Sequence, residues 1–154
     1  MAELSPLHAS VVHCMAGAKA LDAVAVERAV SCRVAPDELL LVGVDREADH
    51  VLDAAVAWLT PRDEHSVVLD ATDGWTGWTI HGPDAVQAMA HVSMLALPEQ
   101  GFVQGHVGHL PARVLTEPGT VHVLVEAMYG GWLRELLLAR CPELAEADTE
   151  AGAS

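Results

Sequence analysis

The densest group of histidines in the chain lies between residues 106 and 122. His106 and His109 are three positions apart, and His122 follows in a later predicted strand. Because neutral imidazole is a common ligand of transition metals, the group raises the hypothesis of a metal or haem site. Residues three apart on a regular strand point to opposite faces, so these two side chains would converge only if Gly105 or Gly108 introduced a bulge. The spacing therefore favours scattered surface histidines over a metal site.

Two carboxylates, Asp70 and Asp73, lie close enough in sequence to act as an acid and base pair, since neighbouring carboxylates split their pKa values. The alternative is structural. Asp73 precedes Gly74 and can close a turn, while Asp70 can accept hydrogen bonds from backbone N–H groups. The sequence contains no glycine-rich phosphate loop, nucleophile elbow or paired CxxC motif. We therefore predict no catalytic, cofactor-binding or metal-binding residue in this chain.

Three aromatic residues are candidates for a protein interface: Trp75, Tyr129 and Trp132. Trp75 and Trp78 lie three apart on a predicted strand and so face opposite sides. Trp78 is in register with Ile80 and is expected in the core. Trp75 then lies on the other face, where it is either exposed as an interface residue or covered by a helix. Tyr129 and Trp132 belong to the apolar stripe of the last predicted helix.

Apolar periodicity predicts the elements that hold these residues. The predicted strands cover residues 30–34, 39–44, 67–71, 75–81, 102–109, 112–115 and 120–126. Three helices are predicted. The first follows Asp45, which can cap it, the second begins at Pro83, and the third carries the apolar stripe from Tyr129 to Leu137. In the strand 120–126 the valines should face inward and His122 outward. Residues 1–25 have no decisive period and predict only a strand or a short helix.

Two strands followed by a helix occur twice, over residues 30–59 and 112–138, which indicates a weak internal pseudo-repeat. Strand pairs that alternate with helices favour an α+β fold of the split βαβ type, with helices packed on one face of an antiparallel sheet. The length of 154 residues predicts one domain, which we place at residues 1–141. Residues 142–154 are acidic and rich in alanine, and are expected to form a disordered tail.

Composition restricts the partners and the compartment. A net charge of −14 argues against nucleic acid and anionic membranes as partners, because both require a basic surface. Cys14, Cys32 and Cys141 are odd in number and widely spaced, so they predict reduced thiols in a cytoplasmic protein rather than a disulfide framework. The first residues have no signal-peptide pattern, and no apolar run reaches the length of a membrane span.

Several segments of the chain match the motifs of a known protein family. The central residues are Leu69, Asp70, Thr72, Asp73, Ile80, Gly82, Pro83, Asp84, Ala85 and Leu95-Ala96-Leu97-Pro98. Upstream segments are Ser5-Pro6-Leu7 and the strand from Ala35 to Gly43, and the last is Tyr129-Gly130-Gly131-Trp132-Leu133. In this order and spacing, the segments resemble the gamma subunit of heterotetrameric sarcosine oxidase, in which an aromatic residue usually stands at the position of Leu39. The resemblance covers residues 33–138.

The resemblance implies an aminomethyltransferase-like fold, shared with the folate-dependent enzyme of the glycine cleavage system. It implies that flavin and nicotinamide chemistry belong to larger subunits. We therefore expect a non-catalytic accessory subunit without its own cofactor, docked on a larger partner that uses flavin or tetrahydrofolate. Two alternatives stay open: a small folate-binding protein of one-carbon transfer, and a histidine-dependent metal-binding or haem-binding protein.

Overall fold

Two β-sheets, each with helices packed on one face, form the α+β fold, as the sequence predicts. The computed structural model describes residues 1–148. The strands are β1 (Ala2–Pro6), β2 (Ala9–Met15), β3 (Val30–Ala35), β4 (Glu38–Val44), β5 (Val67–Asp70), β6 (Trp75–His81), β7 (Gly101–Val107), β8 (Leu110–Glu117), β9 (Thr120–Glu126) and β10 (Leu144–Glu146). The α-helices are α1 (Ala18–Asp22), α2 (Ala48–Leu59), α3 (Ala85–Met89) and α4 (Gly130–Arg140).

The contacts of the chain divide these elements into two compact units. Unit 1 contains residues 1–7 and the described residues from Thr76 onward, with the sheet order β10-β1-β6-β9-β8-β7. Unit 2 is His8–Trp75, with the sheet order β3-β4-β2-β5. The sequence predicts a single domain over residues 1–141. Within this span the buried apolar residues form two clusters, each against its own sheet, and chain length does not reveal this grouping.

In unit 2, β2 pairs antiparallel with β4 and β5, and β3 pairs antiparallel with β4. The sequence does not decide the secondary structure of the first 25 residues, which contain β1, β2 and α1. The predicted apolar strand over 39–44 is confirmed as β4, and its residues from Leu39 to Val42 are all buried. Both faces of this strand are therefore shielded from water.

Helix α2 confirms the helical period of the sequence, because Val51, Ala55 and Leu59 recur every four residues and are fully buried. The prediction that Asp45 caps this helix is wrong. The helix begins later, after Glu47, and Asp45 lies in the preceding turn with φ at 55°. The N–H of Asp45 donates to the carbonyl of His8 at 2.7 Å, so this residue belongs to a turn that aspartate tolerates well.

In unit 1, β7, β8 and β9 form an antiparallel meander, and β1 pairs antiparallel with β6. Helices α3 and α4 bury Ala88, Met89, Leu133 and Leu137 against this sheet. Gly77 of β6 lies next to the Val123 carbonyl of β9, where a Cβ atom would clash with backbone. The helix predicted from Pro83 is short and begins at Ala85.

The prediction that His122 faces outward into solvent is wrong. His122 is 6% exposed, and every residue of β9 from Thr120 to Val125 is buried. Its Nδ1 lies 2.9 Å from the hydroxyl of Thr79 on β6. Strand alternation assigns His122 to the face opposite the valines, as expected, but alternation alone does not tell whether that second face meets water.

Residues 142–148 differ from the predicted disordered tail. Strand β10 pairs parallel with β1, in the register Ala2 to Leu144 and Leu4 to Glu146. The Nε and Nη2 atoms of Arg134 donate to the two carboxylate oxygens of Glu146, at 2.6 Å each. Backbone pairing and an ion pair hold residues 142–148 in place, and a search for apolar residues detects neither interaction. Residues 149–154 of the predicted tail lie outside the described residues.

Within residues 1–148, every helix is too short or too polar to cross a lipid bilayer.

Candidate functional site

The three histidines considered as metal ligands occupy different environments. His106 lies on β7 opposite Pro111 and is exposed, and His109 lies exposed in the turn between β7 and β8. His122 is buried on β9, with its Nε2 3.4 Å from a carboxylate oxygen of Glu117. No group of three or more His, Cys, Asp or Glu side chains that could hold a metal ion is found among residues 1–148.

Asp70 has the structural role considered for it in the sequence. Its Oδ1 accepts hydrogen bonds from the backbone N–H of Thr72 at 3.0 Å and from the Thr72 hydroxyl at 2.6 Å. These two bonds hold the pKa of Asp70 below its ordinary value, because they stabilise the ionised carboxylate. Thr72 also accepts the N–H of Val11 at 3.0 Å, so the carboxylate organises the turn that follows β5.

The three aromatic interface candidates fall into both units. Trp75 is half-buried and belongs to unit 2, whereas Tyr129 and Trp132 belong to unit 1. Tyr129 precedes α4 and packs against the core of unit 1. Trp132 is 44% exposed on α4. Trp78, predicted for the core, does pack against the unit 1 core, and its indole N–H donates to the Gly130 carbonyl at 2.9 Å.

Beside Trp132, unit 1 has two neighbouring hollows that the sequence does not predict. The larger, of about 500 Å³, is lined by Ala90, His91, Val92, Ser93, Met94, Leu95, Gly105, His106 and Gly108. The smaller, of about 220 Å³, is lined by His91, Val92, Gly108, His109, Trp132, Leu136 and Arg140. The two hollows share His91, Val92 and Gly108, so we describe them together as the paired hollows.

Two hydrogen bonds join the segment after α3 to β7 and the β7–β8 turn, and these elements form walls of the paired hollows. The N–H of Gly108 donates to the Val92 carbonyl at 2.6 Å, and the Ser93 hydroxyl donates to the His106 carbonyl at 2.8 Å. The same hydroxyl accepts the N–H of Leu95 at 3.2 Å. These bonds satisfy backbone groups that an irregular segment would otherwise leave unpaired.

Gly108 is required at its position by two separate conditions. Its φ is 61°, in the left-handed region that glycine adopts without strain. A Cβ atom on it would also come within 2.6 Å of the Leu136 side chain on α4. The close approach of this turn to α4 therefore depends on the absence of a side chain.

The paired hollows are unusual in charge for a chain with 22 acidic residues, because none of the lining residues is acidic. His91 Nε2 donates to Oε1 of Glu143 at 2.9 Å, and Glu143 lies outside the lining. This bond to His91 is the main reason that the pKa of Glu143 lies below its ordinary value. Arg140 has no carboxylate within ion-pair distance among residues 1–148, unlike Arg134 on the same helix.

Part of this site has a sequence signal and part has none. Trp132, Leu136 and Arg140 recur every four residues, so a helix places them along one stripe. The residues from Ala90 to Leu95 and the β7–β8 turn have no recognisable period. They reach the site only because the segment after α3 bonds to the turn, a contact between residues about fifteen positions apart in the chain.

Comparison with solved structures finds similarity in fold. The chain is similar to a chain in heterotetrameric sarcosine oxidase from Corynebacterium sp. U-96 in complex with pyrrole 2-carboxylate, with a TM-score of 0.68 and 19% identity. The match covers 96% of this chain and 88% of that chain. At this identity the similarity shows a shared fold, in agreement with the family resemblance of the sequence.

A more distant similarity is to regulatory subunits of aspartate kinase. The ligand-free subunit from Thermus thermophilus matches with a TM-score of 0.49 and 12% identity, over 91% of this chain and 97% of that chain. The subunit from Thermus flavus matches with a TM-score of 0.47. These scores are too low to support an argument about function. No family model matches the sequence, and no match is found among curated proteins.

Proposed function

We propose that this chain is a non-catalytic accessory subunit that docks on a larger, flavin-dependent or tetrahydrofolate-dependent protein. The observation that carries the proposal is the fold, which follows a chain of a heterotetrameric oxidase over 96% of this chain. A chain built like one subunit of a mixed assembly is expected to function through a protein interface. The net charge of −14 supports a protein partner rather than a nucleic acid. A cytoplasmic location, with its three buried cysteines reduced, belongs to this proposal.

Trp132 is the best-placed anchor for such an interface. Interface hot spots are enriched in tryptophan, because its large flat side chain loses little conformational entropy when it is buried. Trp132 offers 44% of its surface, and Met128 just before α4 is 76% exposed. Tyr129 and Trp75 are half-buried, so each offers less new area to a partner. We therefore rank Trp132 ahead of Tyr129 and Trp75 as the docking residue.

The test begins with co-expression of this chain and candidate larger subunits encoded beside it, followed by affinity measurement with the purified components. Trp132→Ala should weaken the complex by about 2 kcal/mol, as expected for a hot-spot residue. Val86→Ala is a matched control, because Val86 is 57% exposed in the same unit and is not an aromatic anchor. Equal loss in both variants, or no loss in either, would contradict the proposed anchor.

The isolated chain separates this proposal from the one-carbon alternative. Tetrahydrofolate and flavin mononucleotide should show no micromolar binding when they are titrated into the purified protein. Micromolar binding of either at a single site would instead favour a protein that works on its own cofactor.

A further inference from the structure

We propose that the paired hollows form one binding site for a small organic carboxylate with a flat apolar body. The proposal goes beyond the accessory role and does not depend on it, since it concerns a ligand of the isolated chain. The volumes of about 500 and 220 Å³ fall within or near the range of about 300–1,000 Å³ that is typical of small-molecule sites. A peptide of a partner protein would instead need an extended groove.

The charge of the lining selects an anion. Arg140 contributes a guanidinium that meets no carboxylate among residues 1–148, and His109 lies in the same hollow. Arginine binds carboxylates through two parallel N–H donors, which makes it well suited to this group. His91 donates to Glu143, so that carboxylate is already held by an imidazole N–H. The formal positive charge of the lining is therefore at Arg140.

The shape of the smaller hollow selects a flat apolar body next to the carboxylate. The Trp132 indole and the Leu136 side chain line this hollow on α4, and Val92 lines it from the segment after α3. An aromatic ring between these surfaces would bury apolar area while its carboxylate reaches Arg140. Longer ligands can continue into the larger hollow, where Met94 is fully exposed and Leu95 is partly buried.

Hydrogen bonding and close packing hold these walls in place without a ligand. The bond from Gly108 to Val92 fixes the β7–β8 turn, and Leu136 lies so close to Gly108 that a Cβ atom there would come within 2.6 Å of it. Leu95 lies in the same way against Gly105 on β7. The site is therefore preformed, which lowers the entropic cost of binding.

The experiment uses the full chain labelled with ¹⁵N and three probes: benzoate, its neutral isostere benzamide, and inorganic phosphate. Benzoate should shift the amide resonances of Val92, Gly108 and His109 and saturate with a Kd of about 1 mM or tighter. Benzamide and phosphate should each bind at least about tenfold more weakly, because one lacks the charge and the other lacks the apolar body.

Arg140→Ala should weaken benzoate binding by about tenfold or more, and Arg140→Lys should recover part of it, since lysine keeps the charge but not the paired donors. Lys19→Ala is the matched control: it removes one exposed positive charge outside the lining and should leave binding unchanged. Unchanged spectra away from residue 140 establish that each variant is folded. The wild-type comparison of the three probes tests the proposal even if a variant fails to fold.

Three outcomes would overturn the proposal. The first is the absence of saturable shifts at about 10 mM benzoate, which is tenfold above the expected Kd. The second is equal affinity for benzoate and benzamide, or for benzoate and phosphate, because either result removes one of the two required groups. The third is benzoate binding that Arg140→Ala leaves unchanged.

Discussion

The strand–strand–helix segment occurs once in each unit, as β3-β4-α2 in unit 2 and as β8-β9-α4 in unit 1. In both, an antiparallel strand pair is followed by a helix that buries apolar side chains against the sheet. The exposed faces differ. Helix α2 presents Asp49 and Asp53, with Glu47 exposed just before it, whereas α4 presents Trp132 and Arg140. The inner face of such a helix supports the fold, and the outer face decides whether it can bind anything.

The largest expected effect tests the shared inner face. Leu133→Ala in α4 and Leu59→Ala in α2 should each reduce the free energy of unfolding by about 2–5 kcal/mol, because both side chains are fully buried. Urea denaturation followed by circular dichroism measures both. A loss below 1 kcal/mol in only one of the two variants would show that the helices do not carry equivalent cores.

The second prediction tests the difference between the outer faces. Trp132→Ala should cost about 2 kcal/mol of affinity for the proposed partner. Asp49→Ala and Asp53→Ala on α2 should cost little, since exposed charges at a solvated face contribute weakly. Calorimetry with the purified partner gives both values. A larger loss from the α2 variants than from Trp132→Ala would reverse the assignment of the docking face.

The third prediction concerns strand β10 and its contacts with β1 and α4, which have no counterpart in unit 2. A chain that ends at Cys141 should melt several degrees below one that ends at Asp148, because it lacks the pairing with β1 and the ion pair of Arg134 with Glu146. Each kcal/mol of lost stability lowers the melting temperature by roughly 2–4 °C at this chain length. Both chains lack residues 149–154, so the difference reports only residues 142–148. Equal melting temperatures would restore the interpretation as a dispensable tail.

The smallest expected effect is a pH dependence of the stability that strand β10 contributes. The bond from Arg134 holds the pKa of Glu146 below its ordinary value of 4.5, and the bond from His91 does the same for Glu143. A carboxyl group whose pKa is lowered by folding stabilises the fold above its ordinary pKa, and this contribution is lost as the pH falls below 4.5 and through the lowered folded value.

Thermal melts between pH 3 and 7 should therefore show a smaller acid-induced decrease in Glu146→Gln than in the unmodified chain. Glu135→Gln on the exposed part of α4 is the control, because Glu135 has no such bond to Arg134. An identical pH dependence in all three proteins would show that the ion pair does not contribute.

The local sequence pattern was sufficient to predict the structure where a residue's environment depends on its near neighbours in the chain. The period of α2, the apolar run of β4 and the strands from β7 to β9 could be predicted because the helical period and short apolar runs follow from the geometry of each element. The hydrogen bond that Asp70 accepts from a backbone N–H and the packing of Trp78 against the core were predicted for the same reason. The α+β class follows from the order of these elements.

Other features could not be predicted, because they depend on residues far apart in the chain. His122 has the expected strand position but a buried environment, and β10 forms only because β1 offers it an edge. The division into two units depends on which apolar side chains meet, and the same composition would also suit one core.

The candidate site contains both features that the sequence predicts and features that only the tertiary structure decides. The sequence by itself determined the stripe that contains Trp132 and Leu136, since the helical period alone places them on one side of α4. Only the tertiary structure decided that Arg140, His91 and His109 lie beside this stripe. The physical reason is that an irregular segment and a turn have no repeating geometry, so their positions are set by long-range hydrogen bonds such as that from Gly108 to Val92.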